Sequence, residues 1–406
     1  MKNTLRKFLG KISSVFVITA ASLLMLIGPT LSWAVDLGNG FSLSNLTYLD
    51  FTNASGDLVD TSSDKDISPG QGKTNRGLAD GFHFTRVYFT LTKDVNDQLS
   101  FRITTDQMTV RPDGSTEGSP FGLSGYGGAG RGNMFIKFVY AQYKFSPELM
   151  IRAGLTQTPW IATAEERWTL RFLRPTFWDE QGVLTSSDLG VSAIGGILNN
   201  LVSYHLMFSN GEGYQNNSVD GRGYAGQGRI DLNVLHGLTL SAFGLAETVH
   251  NGVQSWNPTR EIFYAMYTHE IFRIAAEYML ADDKSEGNSP ALAIMTTPGS
   301  ASGSKGASTS GPRFDQAKGY GSWAWVRIPG IEALRVFGRF YTIKPNTTTN
   351  AGKTTEFNAG ISYDISKELI VAIDDTMLSQ KLLRVSTGDT ETFKDNIIGL
   401  RAQLSF

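Results

Sequence analysis

Residues 158–187 set Glu165 and Glu166 beside Arg167, with Arg171 and Arg174 following at near-helical spacing. Carboxylates and guanidiniums placed this way suit electrostatic work rather than bond making. Lining a narrow aqueous passage, opposed acids and bases create a transverse field that orders water and filters polar solutes. On a water-exposed helical turn the same residues form only local ion pairs. The stretch also carries Trp160, Trp168, Phe172, Phe177 and Trp178. So many aromatics are unfavourable in water, which predicts that the segment packs against something.

Other chemistries find less support. The chain has no cysteine, which excludes disulfides, thiolate metal sites and haem attachment through Cys-x-x-Cys-His. Its five histidines are scattered and make no His-Glu-x-x-His pattern. A hydrolase would need a nucleophile or activated water beside a histidine. The candidates are Glu247 and His250 near the end of one segment, and His205 on another, and no Ser/His/acid set emerges from their spacing. We therefore expect no catalytic residues, no metal and no cofactor. With 36 basic against 38 acidic residues, the charge offers nothing to nucleic acid.

The first eleven residues are basic through Lys2, Arg6, Lys7 and Lys11, and an apolar run from Ile12 to about Leu31 follows. Ser32 and Ala34 then stand at the spacing that a signal peptidase reads. Residues 1–34 are predicted to be a signal peptide, cut after Ala34. The alternative, an uncleaved anchor, fits poorly with Gly28 and Pro29 inside the run. Removal leaves residues 35–406 with 32 basic and 38 acidic side chains.

Beyond that run no apolar stretch is long enough for a membrane helix. The chain instead holds many segments of about ten residues with period-two hydrophobicity, together with 44 Gly, 24 Phe, 14 Tyr and 7 Trp. Strands are predicted near 41–51, 81–93, 98–110, 134–145, 148–157, 188–197, 200–209, 226–235, 238–248, 260–269, 271–281, 316–328, 331–343, 354–365, 368–379 and 393–406. Their connections alternate long and short without a break. Short ones read "DVND", "SP", "NN", "HG", "PG" and "SK"; long ones include the Gly-rich stretch after residue 110. The expected fold is all-β: a transmembrane antiparallel barrel of about 16 strands, with short periplasmic turns and long extracellular loops.

The strand phases fit an inside-out protein. Ile274, Ala276, Tyr278 and Leu280 oppose Arg273 and Glu277, and Leu334, Val336 and Phe340 oppose Arg335, Arg339 and Tyr341. The predicted lumen lining is Arg86, Arg102, Lys144, Arg152, Arg229, Arg273, Arg335, Arg339 and Arg401. Fewer inward acids are expected: Asp106, Asp231, Glu277, Asp364 and Asp374. That balance predicts a net positive lumen, and rings of Arg and Lys favour anions. Phe82, Tyr143, Phe145, Trp323 and Trp325, near strand ends, are expected in the interfacial aromatic girdles.

"FHFTRVYFTLTKDVNDQLSFRITTD", "FVYAQYKFSPELMIRAGLTQTPW" and "FSNGEGYQNN" together resemble the Gram-negative porins, and more narrowly the phosphate-selective porins O and P. The similarity covers about the middle half of the chain plus the last strand. That family's dense run of lysines and arginines in one loop is absent, so the resemblance implies a porin without implying phosphate. It implies that residues 158–187 fold into the barrel and narrow a pore, with Glu165, Glu166, Arg167, Arg171 and Arg174 at the constriction. It also implies a homotrimer in the outer membrane, in contact with lipid and lipopolysaccharide, passing small hydrophilic solutes or anions. The closing "IIGLRAQLSF", ending at Phe406, resembles the signal read by the barrel assembly machinery. The competing readings are a barrel enzyme, protease or phospholipase, and a barrel sheathing a periplasmic electron carrier.

Overall fold

Strands whose two faces differ so consistently must curl until one face is enclosed, and this chain does so. The computed structural model describes residues 34–56, 81–109, 132–211, 213–214, 223–235, 237–250, 255–285, 314–346, 352–383 and 389–406. The expected signal peptide lies outside the described residues, apart from Ala34. A short strand β1 (Val35–Gly38) is followed by β2 (Phe41–Gly56), β3 (Gly81–Asp94), β4 (Leu99–Thr109), β5 (Gly132–Ser146) and β6 (Leu149–Gln157). The connection at 158–187 holds helices α1 (Ile161–Trp168) and α2 (Phe177–Glu180). Next come β7 (Ser187–Ile197), β8 (Val202–Ser209), β9 (Gly223–Leu235), β10 (Leu238–His250), β11 (Ser255–Thr268) and β12 (Phe272–Ser285). The chain ends with β13 (Ala317–Ile328), β14 (Ile331–Lys344), β15 (Thr354–Asp364), β16 (Leu369–Leu383) and β17 (Thr390–Ser405).

From β2 to β17 each strand pairs antiparallel with its sequence neighbours, and β17 pairs with β2. The result is a closed 16-stranded barrel, with β1 folded back on β2 as an addition. Closure satisfies the backbone groups that an open sheet would leave at its edges. The last residue takes part: the Asn45 amide donates to the Phe406 carbonyl at 2.8 Å, and the Phe406 amide returns a bond at 3.2 Å.

All sixteen expected strands are present. Several run further at the ends away from the short turns: β2 continues to Gly56, β11 starts at Ser255, β12 reaches Ser285 and β16 reaches Leu383. Those extensions put polar residues such as Asn53, Asn257 and Asp282 on the outer face, so the alternation that marks the rest of the strand fades there. The register keeps the two faces apart. On β12 and β11, Ile274 and Phe263 are about half exposed on the outer face, whereas Glu277 and Arg260 are buried inward. Phe82, Tyr143 and Phe145 also point outward.

Trp323 and Trp325 do not join them. Both are buried within the barrel, which corrects their expected place in an outer girdle. They share the inward phase of β13 with Ala317, Gly319 and Gly321, and Trp168 of α1 packs against Trp323 with ring centroids 5.1 Å apart. The main apolar cluster therefore lies inside the barrel, between the 158–187 connection and the inner wall.

Candidate functional site

The inserted connection is held by shape first. Ile161, Ala164 and Trp168 recur at helical spacing and give α1 one apolar face, set on the wall. Trp160 meets Phe243 of β10 and Tyr264 of β11, with ring centroids at 5.8 and 5.5 Å. Phe177 stacks on Tyr341 of β14 at 4.8 Å, and Phe172 lies 6.3 Å from Tyr48 of β2. Trp178 Nε1 and the Tyr341 hydroxyl both donate to Glu277, a buried carboxylate. A cavity of about 10 Å³ remains among Trp168, Trp178, Tyr264, Glu277, Trp323 and Tyr341. That is about one water's space.

Charge then fixes the orientation. Arg86 of β3 grips Glu165 with both terminal nitrogens, at 3.3 and 3.2 Å, while Arg171 Nε donates to the same carboxylate at 2.5 Å. Burial pushes the Glu165 carboxyl up, but Arg86 and Arg171 outweigh it and hold the group down at about 2. Arg167 pairs with Asp231 of β9 at 2.8 Å and donates to Ser241 at 2.9 Å. Arg174 bonds Glu180 and lies 3.6 Å from Glu356 of β15. Glu166 alone of the five predicted constriction residues is exposed, and it has no ion pair among the described residues.

The expected lining residues divide into two groups. Arg229 pairs with Asp231 and also donates to the Pro159 carbonyl and Thr163. Arg335 pairs with Asp364, and Arg339 with Glu356 and Glu180. Arg401 is shared between Asp50 and Asp374. With Arg86, these five are neutralised. Among the described residues Arg102, Arg152 and Arg273 have no carboxylate partner. Arg152 donates to Gln142 and Gln157, Arg102 to Thr104, and Arg273 to the Arg167 carbonyl. Lys144 is exposed beside the β5–β6 turn.

The sequence reading missed the acids Asp50, Asp283 and Glu356, which neutralise Arg401, Arg260 and Arg339. Asp50 alternates with Tyr48 and Thr52, and Glu356 with Thr354 and Asn358, so both inward phases were legible. Asp283 lies past the expected end of its strand. Also missed was Tyr214, from the connection after β8, which stacks on Phe135 at 5.6 Å beneath Lys137 Nζ, 3.2 Å from the ring centroid.

Among the described residues the histidines form no catalytic arrangement. His250 Nδ1 lies 2.7 Å from Ser255 Oγ, but the two are cross-strand partners at the end of the β10–β11 hairpin, and Glu247 packs against Gly211 instead. His205 is buried on the inner wall beside Arg229.

Ser186 and Tyr214 cover Lys137 and Phe135 of β5, and further along the same wall lie the inward residues of β4 to β6. There the inward side chains include Arg102, Tyr140, Gln142 and Arg152. Such a lumen has a fixed-charge side wall and an ion-paired insert, and it can sort solutes by size and charge without making bonds.

No protein-family model and no curated protein matches the chain. Among solved structures it is similar in fold to the anion-selective porin from Comamonas acidovorans, with a TM-score of 0.57 and 11% identity over 90% of this chain and 99% of that one. The OmpF complex of Salmonella typhi with daunomycin gives 0.55 and 13%, over 92% and 100%. The outer membrane channel DcaP of Acinetobacter baumannii gives 0.55 and 14%, over 93% and 100%.

Proposed function

We propose that the chain is an outer-membrane porin, a passive channel for small hydrophilic solutes with a preference for anions. The observation that carries the preference is the set of guanidiniums without a carboxylate partner among the described residues, Arg102 on β4 and Arg152 on β6 with Arg273 on β12 opposite. The paired arginines contribute little net field, because their acids stand beside them. Barrel closure, the outward apolar face and the fold it shares with porins and an outer membrane channel support the membrane setting. In this reading residues 1–34 are a cleaved export signal and 35–406 the barrel, with lipid and lipopolysaccharide against its outer face. The strand ending at Phe406 is what the assembly machinery reads, and three copies assemble, as the resemblance implies. No step of chemistry takes place.

Reversal potential in a planar bilayer under a KCl gradient tests the reading. Chloride should permeate faster than potassium, and Arg102→Gln with Arg152→Gln should move the ratio toward potassium. Equal permeability in the native protein removes the anion preference, and absence of conductance removes the channel.

A further inference from the structure

Arg102 and Arg152 differ in how many of their donors are engaged, and that difference matters. Arg152 is pinned: Nε and Nη2 donate to Gln142 Oε1 at 3.2 and 2.8 Å, and Nη1 donates to Gln157 Oε1 at 2.7 Å. Its guanidinium also lies over the Tyr140 ring, 4.5 Å from the centroid. Arg102 is anchored at one point, Nε to Thr104 Oγ1 at 3.0 Å, with Phe138 beneath it at 5.3 Å. Both terminal NH2 groups of its fork are therefore without a partner among the described residues. Gln142 uses its carbonyl oxygen on Arg152, which leaves its amide NH2 as one more donor. The patch presents donors and two positive charges.

We infer that Arg102, backed by Arg152 and Gln142, is a carboxylate-binding station on the passage wall. The inference rests on the channel reading above and names its preferred solute class, small carboxylates over halides. Two coplanar oxygens match the two free arms of a guanidinium fork, whereas a halide is a single centre and uses the charge without the geometry. Phosphate can use the same fork, but its additional oxygens and second charge ask for more donors than one free fork and an amide supply. The rings of Phe138 and Tyr140 hold the guanidinium planes, so the station needs little rearrangement on binding.

The test compares single-channel conductance over rising potassium acetate and rising KCl, using the mature chain in planar bilayers. Conductance should saturate in acetate and stay close to linear in KCl. Arg102→Lys keeps the charge and loses the fork, and it should raise the acetate half-saturation about tenfold. Thr104→Val, which frees Arg102 Nε, should weaken acetate several-fold, and it carries the test if Arg102→Lys lacks native β-sheet circular dichroism. Linear acetate conductance in the native channel, or unchanged saturation in a folded variant, overturns the station while the channel reading survives. Inorganic phosphate saturating at lower concentration than acetate overturns the assignment to carboxylates. If the protein does not conduct, saturation-transfer NMR of acetate on the detergent-solubilised protein decides: a signal lost in the variants supports the station, and one absent or retained overturns it.

Discussion

Arg401 on β17 and Asp50 on β2 are direct cross-strand partners, with Nη1 2.6 Å from Oδ2, so a buried ion pair marks the seam where the barrel closes. Asp374 holds the other edge of the same guanidinium at 2.5 Å. A one-residue slip at the seam would turn Arg401 toward the apolar exterior, which ties the register of closure to this pair. Removing one member of a buried pair leaves a charge uncompensated and costs about 3–5 kcal/mol. Because Asp374 remains, Asp50→Ala should sit at the lower end, about 3 kcal/mol. Urea unfolding followed by tryptophan fluorescence reads this directly. Joint replacement by Asp50→Ala and Arg401→Met should cost less than the sum of the two single changes; an additive result would show that the pair does not couple the seam.

Gly319 on β13 tests how the insert is seated. A Cβ there would lie 2.6 Å from the Trp178 ring and 3.2 Å from Met279 Cε, and that tryptophan is fully buried. Overpacking of this kind costs about 1–3 kcal/mol, and the ring must shift, with only the small cavity of about 10 Å³ beside it to enter. Moving it breaks the bond from Nε1 to Glu277 and disturbs the stack of Phe177 on Tyr341. Gly319→Ala should therefore leave the barrel folded and make the open current noisier. Gly226, where a Cβ meets nothing within 4 Å, supplies the control. Equal current noise in Gly319→Ala and Gly226→Ala would refute the seating argument.

Much of this was readable from alternation alone, because period two divides each strand into a water face and an apolar face wherever the outside is uniformly apolar. The signal failed where the inside is apolar as well. Trp323 and Trp325 look like girdle residues until the 158–187 connection is placed against them, yet they share their phase with Gly319 and Gly321. Those small residues make room for Trp178 and Tyr341. The near-helical spacing of Glu165 to Arg174 holds only in part, since the helix ends at Trp168 before Arg171 and Arg174, and the partners were not legible: Arg86 lies 79 residues from Glu165, and no local rule joins them. Strand ends were missed for a related reason, since beyond the apolar band the outer face turns polar, as at Asn53, Asn257 and Asp282, and the pattern dissolves.

Glu165 gives a pH prediction with a definite sign. Its carboxyl is held at about 2 in the folded protein, below the ordinary value of 4.5. A depressed carboxyl contributes stability that is complete above its unfolded value and is lost as pH falls through its folded value. The grip of Arg86 and Arg171 on α1 should therefore persist from neutral pH to about 4.5, weaken below it, and be gone near 2. Conductance and current noise recorded between pH 7 and pH 2 should stay level to about 4.5 and change below it. Glu165→Gln should show the acid behaviour already at pH 7. A transition centred near neutral pH in the native protein would mean that another group controls the insert.

Asp188 and Tyr214 describe a second inward connection that acts by a different force. Asp188 Oδ2 accepts the Gly211 amide at 2.7 Å and Oδ1 the Gly213 amide at 3.3 Å, which turns the chain after β8 back into the barrel. Gly211 and Gly213 have φ of +82° and +73°, the left-handed region that glycine enters without penalty. Tyr214 follows at once, buried against Phe135 and Leu155. Burial, helped by Asp179 and Asp106, raises its hydroxyl pKa, so the ring stays neutral over the working range. Its place then depends on stacking with Phe135 and on the ammonium of Lys137, not on titration. Tyr214→Ala should widen the lumen on this side and raise single-channel conductance in KCl, and Asp188→Ala should do the same by releasing the turn that delivers the ring. If both act through one displaced side chain, the double variant should conduct like Tyr214→Ala alone. Additive increases would instead show that Asp188 and Tyr214 shape the passage independently.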